Sequence, residues 1–331
     1  MPKTKPSTEI KQQIEHAHKL LNQVKHEVKK VVIWQENLIR NLLITILAKG
    51  HIILEWVPWL AKTLSISTLA KTLNLDFSRI QFTPDLLPSD LIGTKVFDQN
   101  KASFYIKKWP IFSNFVLADE INRAPSKVQS ALLECMAEKQ VTIWEETFKL
   151  DQPFIVLATQ NPIEQEWTYN LPEAQMDRFL MKTVIDYPTP DEEIEIMKRF
   201  TNGLDEKIEK IMDKNQIFEL IELVNKIYVS DNIFQYVKDI VFTSRFPEKY
   251  WLENIRNHIA FWASPRASLA LIECAKVLAM MDWRDFVLPE DIKEIAYDVL
   301  RHRIILSYEA IAENITSDDI VKMILENTKV I

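Results

Sequence analysis

The sequence predicts an α/β protein: a helix over residues 1–30, an αβα core with a mostly parallel sheet over 31–188, and an all-α domain over 189–331. Three observations carry that prediction. Short apolar, β-branched runs alternate with helix-length periodic segments between residues 31 and 187, the pattern of βαβ units. One of those runs, Phe115-Val116-Leu117-Ala118-Asp119-Glu120, ends in two carboxylates. Tyr187-Pro188-Thr189-Pro190 is a boundary, and beyond it the periodicity is helical.

The elements follow in order. Residues 8–30 place Ile10, Ile14, Leu20, Leu21, Val24 and Val28 on roughly one face of a helix, and a second helix is expected at 36–48. His51-Ile52-Ile53-Leu54-Glu55 reads as a buried strand, followed by a loop at 56–61 and a helix at 62–74. Asp76–Gln81 and Phe115–Glu120 are strands, 126–139 a helix, and Gln140–Ile143 with Thr147–Leu150 a hairpin. Phe154–Ala158 is a fourth strand. Past the boundary, helices are expected at 191–201, 206–213, 216–228, 232–243, 264–281, 289–306 and 316–327.

Composition bounds the class. The chain has 331 residues, 47% hydrophobic and 26% charged, which suits a globular core and excludes disordered, collagen-like and disulfide-rich classes. A net charge of −7 argues against a nucleic-acid surface, which usually carries a basic field. No apolar run approaches the ~20 residues of a membrane span, and Met1–Ser7 shows no secretory signal, so a cytoplasmic protein without membrane insertion is expected. Cys135 and Cys274 read as buried thiols, and the six histidines lack metal-type spacing. Glycine is abnormal: roughly 23 would be average for this length, and there are three, beside nine tryptophans.

Glu55-Trp56-Val57-Pro58-Trp59-Leu60-Ala61-Lys62-Thr63 joins a strand to a helix, the context of a phosphate-binding loop. There the backbone N–H groups would cradle an anion, Lys62 would reach the outer phosphates and the Thr63 hydroxyl would hold Mg²⁺. A lone Lys-Thr pair fits an ordinary strand–helix turn equally well. Asp119 and Glu120 can supply a metal-organising carboxylate and a base that orients water. On their own they also suit a helix cap, because Asn122-Arg123-Ala124-Pro125-Ser126 turns into a helix. Asn161, after the fourth strand, lies where ligands bind in open α/β sheets and could align an attacking water; it also fits a turn before Pro162.

Several long motifs, in order, closely resemble the MoxR family of AAA+ ATPases. They are Ile80-Gln81-Phe82-Thr83-Pro84-Asp85-Leu86-Leu87-Pro88-Ser89-Asp90, Ala118-Asp119-Glu120-Ile121-Asn122-Arg123-Ala124, Ala158-Thr159-Gln160-Asn161-Pro162 and Leu171-Pro172-Glu173-Ala174-Gln175-Met176-Asp177-Arg178-Phe179. The likeness runs on through Ala263-Ser264-Pro265-Arg266-Ala267-Ser268 and covers nearly all of the chain after residue 30. It implies that Lys62 and Thr63 are the Walker A pair, Asp119 and Glu120 the Walker B pair, Asn161 sensor 1 and Arg266 sensor 2. Arg178 would be the arginine finger acting on a neighbour's nucleotide, and residues 91–109 the hairpin inserted in helix 2. ATP and Mg²⁺ are the implied cofactors. The implied partners are other subunits of the same chain in a ring, a hexamer, and a client complex or von Willebrand A-domain protein that the ring remodels or matures. Each arginine also fits a surface ion pair worth about 0–1 kcal/mol.

The departures from the family share one form. Its phosphate loop reads Gly-Val-Pro-Gly-Leu-Ala-Lys-Thr, and this chain has Trp56 and Trp59 at the two glycines. Trp34, Trp109, Trp167 and Trp262 also stand at family glycines, Trp144 and Trp283 where a turn calls for glycine, and Trp251 in a turn compatible with it. Glycine serves where φ is positive or the backbone approaches a ligand, and tryptophan can do neither. Random decay would scatter residue types and damage Lys62, Asp119, Asn161 and Arg178, which are intact. UGA codons meant as glycine but translated as tryptophan would give this pattern. Genuine tryptophans would instead make a nucleotide-dead scaffold.

Overall fold

The computed structural model describes residues 8–32, 35–56, 62–98, 103–160, 169, 171–185, 187–201 and 207–330. Helix α1 (Thr8–Lys29) buries Ile14, Ala17, Leu21, Val24 and Val28, a spacing of three and four that keeps one stripe on the core. Helix α2 (Glu36–Leu47) leads into β1 (Ile52–Trp56), and α3 opens at Lys62 (Lys62–Thr72). Then come β2 (Phe77–Gln81), α4 (Pro88–Ile92), β3 (Gly93–Asp98), β4 (Ser103–Lys108), β5 (Phe115–Asp119), α5 (Ser126–Glu138), β6 (Gln140–Ile143), β7 (Glu146–Lys149) and β8 (Ile155–Gln160). After α6 (Glu173–Met176), β9 (Met181–Ile185) and α7 (Pro190–Thr201) follow α8 (Lys214–Asn225), α9 (Asp231–Arg245), β10 (Ile259–Phe261) and α10 (Pro265–Met281). The chain closes with α11 (Pro289–Leu300), β11 (Ile305–Leu306), α12 (Tyr308–Ala312) and α13 (Ser317–Asn327).

Contacts divide the chain into two compact units: Gln23–Pro172 with Thr183–Asn215, and Met1–Asn22 with Glu173–Lys182 and Gln216–Ile331. The first holds a sheet in the order β2-β5-β8-β1-β9, with β2/β5, β5/β8 and β1/β8 parallel. Every residue of β5 is buried, as a strand covered on both faces requires, and that is why it reads as a continuous apolar run. Parallel register sets Gln81 beside Asp119 and Glu55 beside Gln160, so the carboxyl ends of the strands share one edge. The sequence missed β9. Its residues alternate, with Met181, Thr183 and Ile185 buried, as an edge strand does, and no apolar run advertises it.

The segment at 91–109 contains the antiparallel pair β3/β4. Gly93 has φ +111°, and a Cβ there would come within 2.6 Å of the Lys107 carbonyl oxygen, so only glycine fits. Two expected helices change. Residues 207–213 form none: the Ile211 and Met212 amides donate to the Thr72 carbonyl, and the Glu209 amide to Glu27, so the backbone is tied across to α3 and α1. The helix expected over 289–306 stops at Leu300, and Ile305–Leu306 pairs with Ile259–Phe261, giving the otherwise helical second unit one small β ribbon.

Trp34, Trp59 and Trp167 lie outside the described residues; of the other six tryptophans, Trp144, Trp251 and Trp283 have φ of 57°, 58° and 60°. Only a few per cent of non-glycine residues occupy that region. Trp283 sits just past α10, where its amide donates to Met280 and the Arg284 amide to Ala279, the double bond of a Schellman turn whose left-handed position glycine normally fills. Trp144 is the first of the two residues joining β6 to β7, and a positive φ there is the mark of turns that take glycine or asparagine. Trp251 is 90% exposed at the end of a short 3₁₀ turn.

Candidate nucleotide site

Asp119 ends β5 almost wholly buried, and all of its acceptor capacity is engaged. Oδ1 takes the Thr159 hydroxyl at 2.7 Å and Lys62 Nζ at 2.5 Å. Oδ2 takes Arg79 Nε at 3.0 Å and Nη2 at 2.6 Å. Burial pushes the Asp119 carboxyl up, but the hydrogen bonds from Lys62, Thr159 and Arg79 outweigh it and hold the group below the ordinary carboxylate value. Lys62 is the first residue of α3, so the start of that helix lies against the end of β5, with Thr63 half-buried one residue on.

Glu120 does not continue the strand. It takes a left-handed conformation, φ 57°, which turns the chain off the sheet edge, and its amide donates to Thr159 Oγ1 at 2.8 Å. Its carboxylate accepts from Gln81 Nε2 at 2.8 Å and pairs with Arg123 Nε at 3.2 Å. Gln81 Oε1 in turn accepts from Arg79 Nη2 at 2.7 Å, linking the two carboxylates through one guanidinium and one amide.

A divalent cation fits this donor set. The hard carboxylate oxygens and a hydroxyl one helix residue away suit Mg²⁺, and two cationic side chains, Lys62 and Arg79, already stand on Asp119. The residues expected from sequence to form the cradle, Val57, Pro58, Trp59, Leu60 and Ala61, lie outside the described residues, as does Asn161, and Trp56 ends β1. A cavity of about 240 Å³ is lined by Lys25, Val32, Gln35, Asn37 and Arg40 among others. Gln35 accepts from the Ser65 hydroxyl of α3 at 2.9 Å, and its buried Nε2 has no partner among the described residues.

The two arginines singled out from sequence belong to the second unit. Arg178 is exposed just after α6. Arg266 lies in the first turn of α10, its Nη1 3.6 Å from Asp177 Oδ2. Asp177 is a hub: it also accepts from Ser264 Oγ, the N-cap of α10, at 2.8 Å and from buried Arg303 Nε at 2.9 Å. Sequence reasoning missed Asp177, Arg79, Gln81 and Thr159 as site-builders, although all four lie at or beside the quoted motifs. Residues 79 and 81 are two apart on a strand, and so share one side of it beside the end of β5.

The remaining reactive groups are structural. Cys135 and Cys274 are buried, and burial pushes the Cys135 thiol up to about 12 and raises that of Cys274 as well, so neither is a ready nucleophile. Burial lowers His51 to about 4, and its Nδ1 accepts from the Val156 amide at 3.0 Å, a neutral ring pinned between strands.

A helix that starts at Lys62 against a buried strand-end carboxylate, in a parallel sheet accompanied by a helical unit, is the architecture of an AAA+ ATPase. Residues 51–181 match the ATPase family associated with various cellular activities (AAA), and residues 253–324 match the AAA lid domain. The chain is 45% identical to "Chaperone MoxR1" of Mycobacterium tuberculosis, over 91% of this chain and 79% of that protein. It is 30% identical to "Protein MoxR" of Paracoccus denitrificans, over 84% of this chain and 86% of the relative. A crystal structure from Cytophaga hutchinsonii, described as "a putative ATPase", superposes with a TM-score of 0.92 at 53% identity and covers 97% of each chain. The chain belongs to the MoxR family of AAA+ ATPases.

Proposed function

We propose that the chain hydrolyses ATP with Mg²⁺ at interfaces between subunits of a ring, a hexamer, and that the cycle drives chaperone-like remodelling or maturation of a partner complex in the cytoplasm. The observation that carries the reading is the contact of Lys62 with Asp119, which brings the phosphate-loop helix to the strand-end carboxylate that metal-assisted phosphoryl transfer needs. Residues 31–188 act as the nucleotide-binding core and 189–331 as the lid. Lys62 exchanges Asp119 for the outer phosphates, Thr63 and Asp119 hold the cation, Glu120 accepts the proton of a water aligned by Asn161, and Arg266 in the same subunit stabilises charge on the γ-phosphate. Mg²⁺, when bound, would supply charge neutralisation on the phosphates. The free amide of Gln35 beside its cavity suits the acceptors of a purine edge. A von Willebrand A-domain protein or another client complex is the partner the family implies.

The phosphate loop works in this reading because residues 56 and 59 are glycine in the living cell, together with the other tryptophan positions. Support comes from the backbone: three of six described tryptophans hold a left-handed conformation, one of them inside a Schellman turn. Literal indoles at 56 and 59 would fall where the phosphates belong, and a nucleotide-dead scaffold would be the alternative. Arg178 supplies the test of ring action. Rings mixed from about equal parts of Arg178→Ala and Glu120→Gln subunits, each inactive alone and both with glycine at 56 and 59, should regain turnover, because an Arg178→Ala subunit keeps its own Glu120 and takes Arg178 from a Glu120→Gln neighbour. Mixed rings as inactive as either variant alone would contradict a role in trans.

A further inference from the structure

Arg79 has no part in the roles that the motifs assign, yet it makes the most extensive contact with Asp119. Its Nε and Nη2 both donate to Oδ2, and the same Nη2 reaches Gln81, which holds Glu120. The side chain enters from the solvent side, 47% exposed, onto a carboxylate that is 2% exposed. We propose that Arg79 is the resident counter-cation of the metal carboxylate: it keeps Asp119 satisfied when no nucleotide is present and makes cation binding depend on the charge that ATP brings. This rests on the reading of Asp119 as a metal-holding group.

The electrostatic argument is direct. Lys62 and Arg79 together place two positive charges on one buried carboxylate, so a divalent cation arriving alone meets a site whose net charge is already positive. Phosphates change that balance, since they draw Lys62 away and add negative charge of their own. Arg79, with Oδ2 as its partner, then leaves Oδ1 as the oxygen that faces the cation. Through Gln81 the same guanidinium fixes the carboxylate of Glu120, so metal entry and the placement of the base are coupled by one side chain.

The test uses Mn²⁺ alone as probe, followed by its electron paramagnetic resonance signal in the full chain without nucleotide. Arg79→Met should bind Mn²⁺ at a concentration lower by roughly tenfold or more than the parent, and adding Asp119→Asn to it should abolish that gain. Arg79→Lys should stay with the parent, because it keeps the charge while losing the fork; a purely structural role would group Lys with Met. Equal Mn²⁺ affinity in the parent and in Arg79→Met, with both folded by thermal melt, would overturn the proposal, as would a gain that survives Asp119→Asn. Since no nucleotide is used, these outcomes are separate from any failure to hydrolyse ATP. If Arg79→Met does not fold, the comparison of the parent with Arg79→Gln decides on the same terms.

Discussion

Glu120→Gln, made in a chain with glycine at 56 and 59, is expected to bind ATP with nearly unchanged affinity and to hydrolyse it about 10²–10⁴-fold more slowly. The amide keeps the size of the side chain and can still meet Gln81, and the backbone N–H bond to Thr159 is untouched, but the amide cannot take a proton from water. Binding by fluorescent ATP analogue and turnover by phosphate release separate the two effects. Equal turnover would remove Glu120 from the role of base, and a matching loss of binding would make its role structural.

Asp177→Ala should produce the largest loss of stability, about 3 kcal/mol in denaturant unfolding. Arg303 lies almost wholly buried in the helical unit and donates to Asp177 and to the carbonyls of Phe179, Leu180 and Val299. Burial opposes its charge, and among the described residues the Asp177 carboxylate compensates it. Removing Asp177 leaves a buried guanidinium with carbonyl partners alone and also strips α10 of the brace on its N-cap. A loss under about 1 kcal/mol would mean that the carbonyls suffice.

The parts of the fold that could be read from sequence were those whose residues act locally. β5 is buried on both faces and so reads as an unbroken apolar run, and α1 carries a clean stripe. The edge strand β9, the ribbon of β10 and β11, and the irregular stretch at 207–213 depend on partners far along the chain, and local periodicity says nothing about those. The site divides in the same way. Lys62, Asp119 and Glu120 announce themselves by position after strands, whereas Arg79 becomes important only because parallel register sets β2 beside β5. Asp177 was hidden by its neighbour Arg178, the residue the motif draws attention to, although it is Asp177 that gathers Ser264, Arg266 and Arg303.

The tryptophans are the point at which sequence pattern and backbone geometry meet. An indole at a left-handed position is strained by about 1–3 kcal/mol, and the three left-handed tryptophans, one of them in a Schellman turn, add up to a substantial fraction of a domain's net stability. Glycine at these positions would remove all three strains, and glycine at 56 and 59 would leave no indole in the proposed phosphate loop.

The central claim, an ATPase with a working phosphate loop, is tested most directly by a peptide mass spectrum of the native protein across residues 50–71. The account predicts glycine at 56 and 59, with Lys62 and Thr63 unchanged. Tryptophan at both positions would contradict it, closing the loop to phosphate and leaving a scaffold in place of an enzyme.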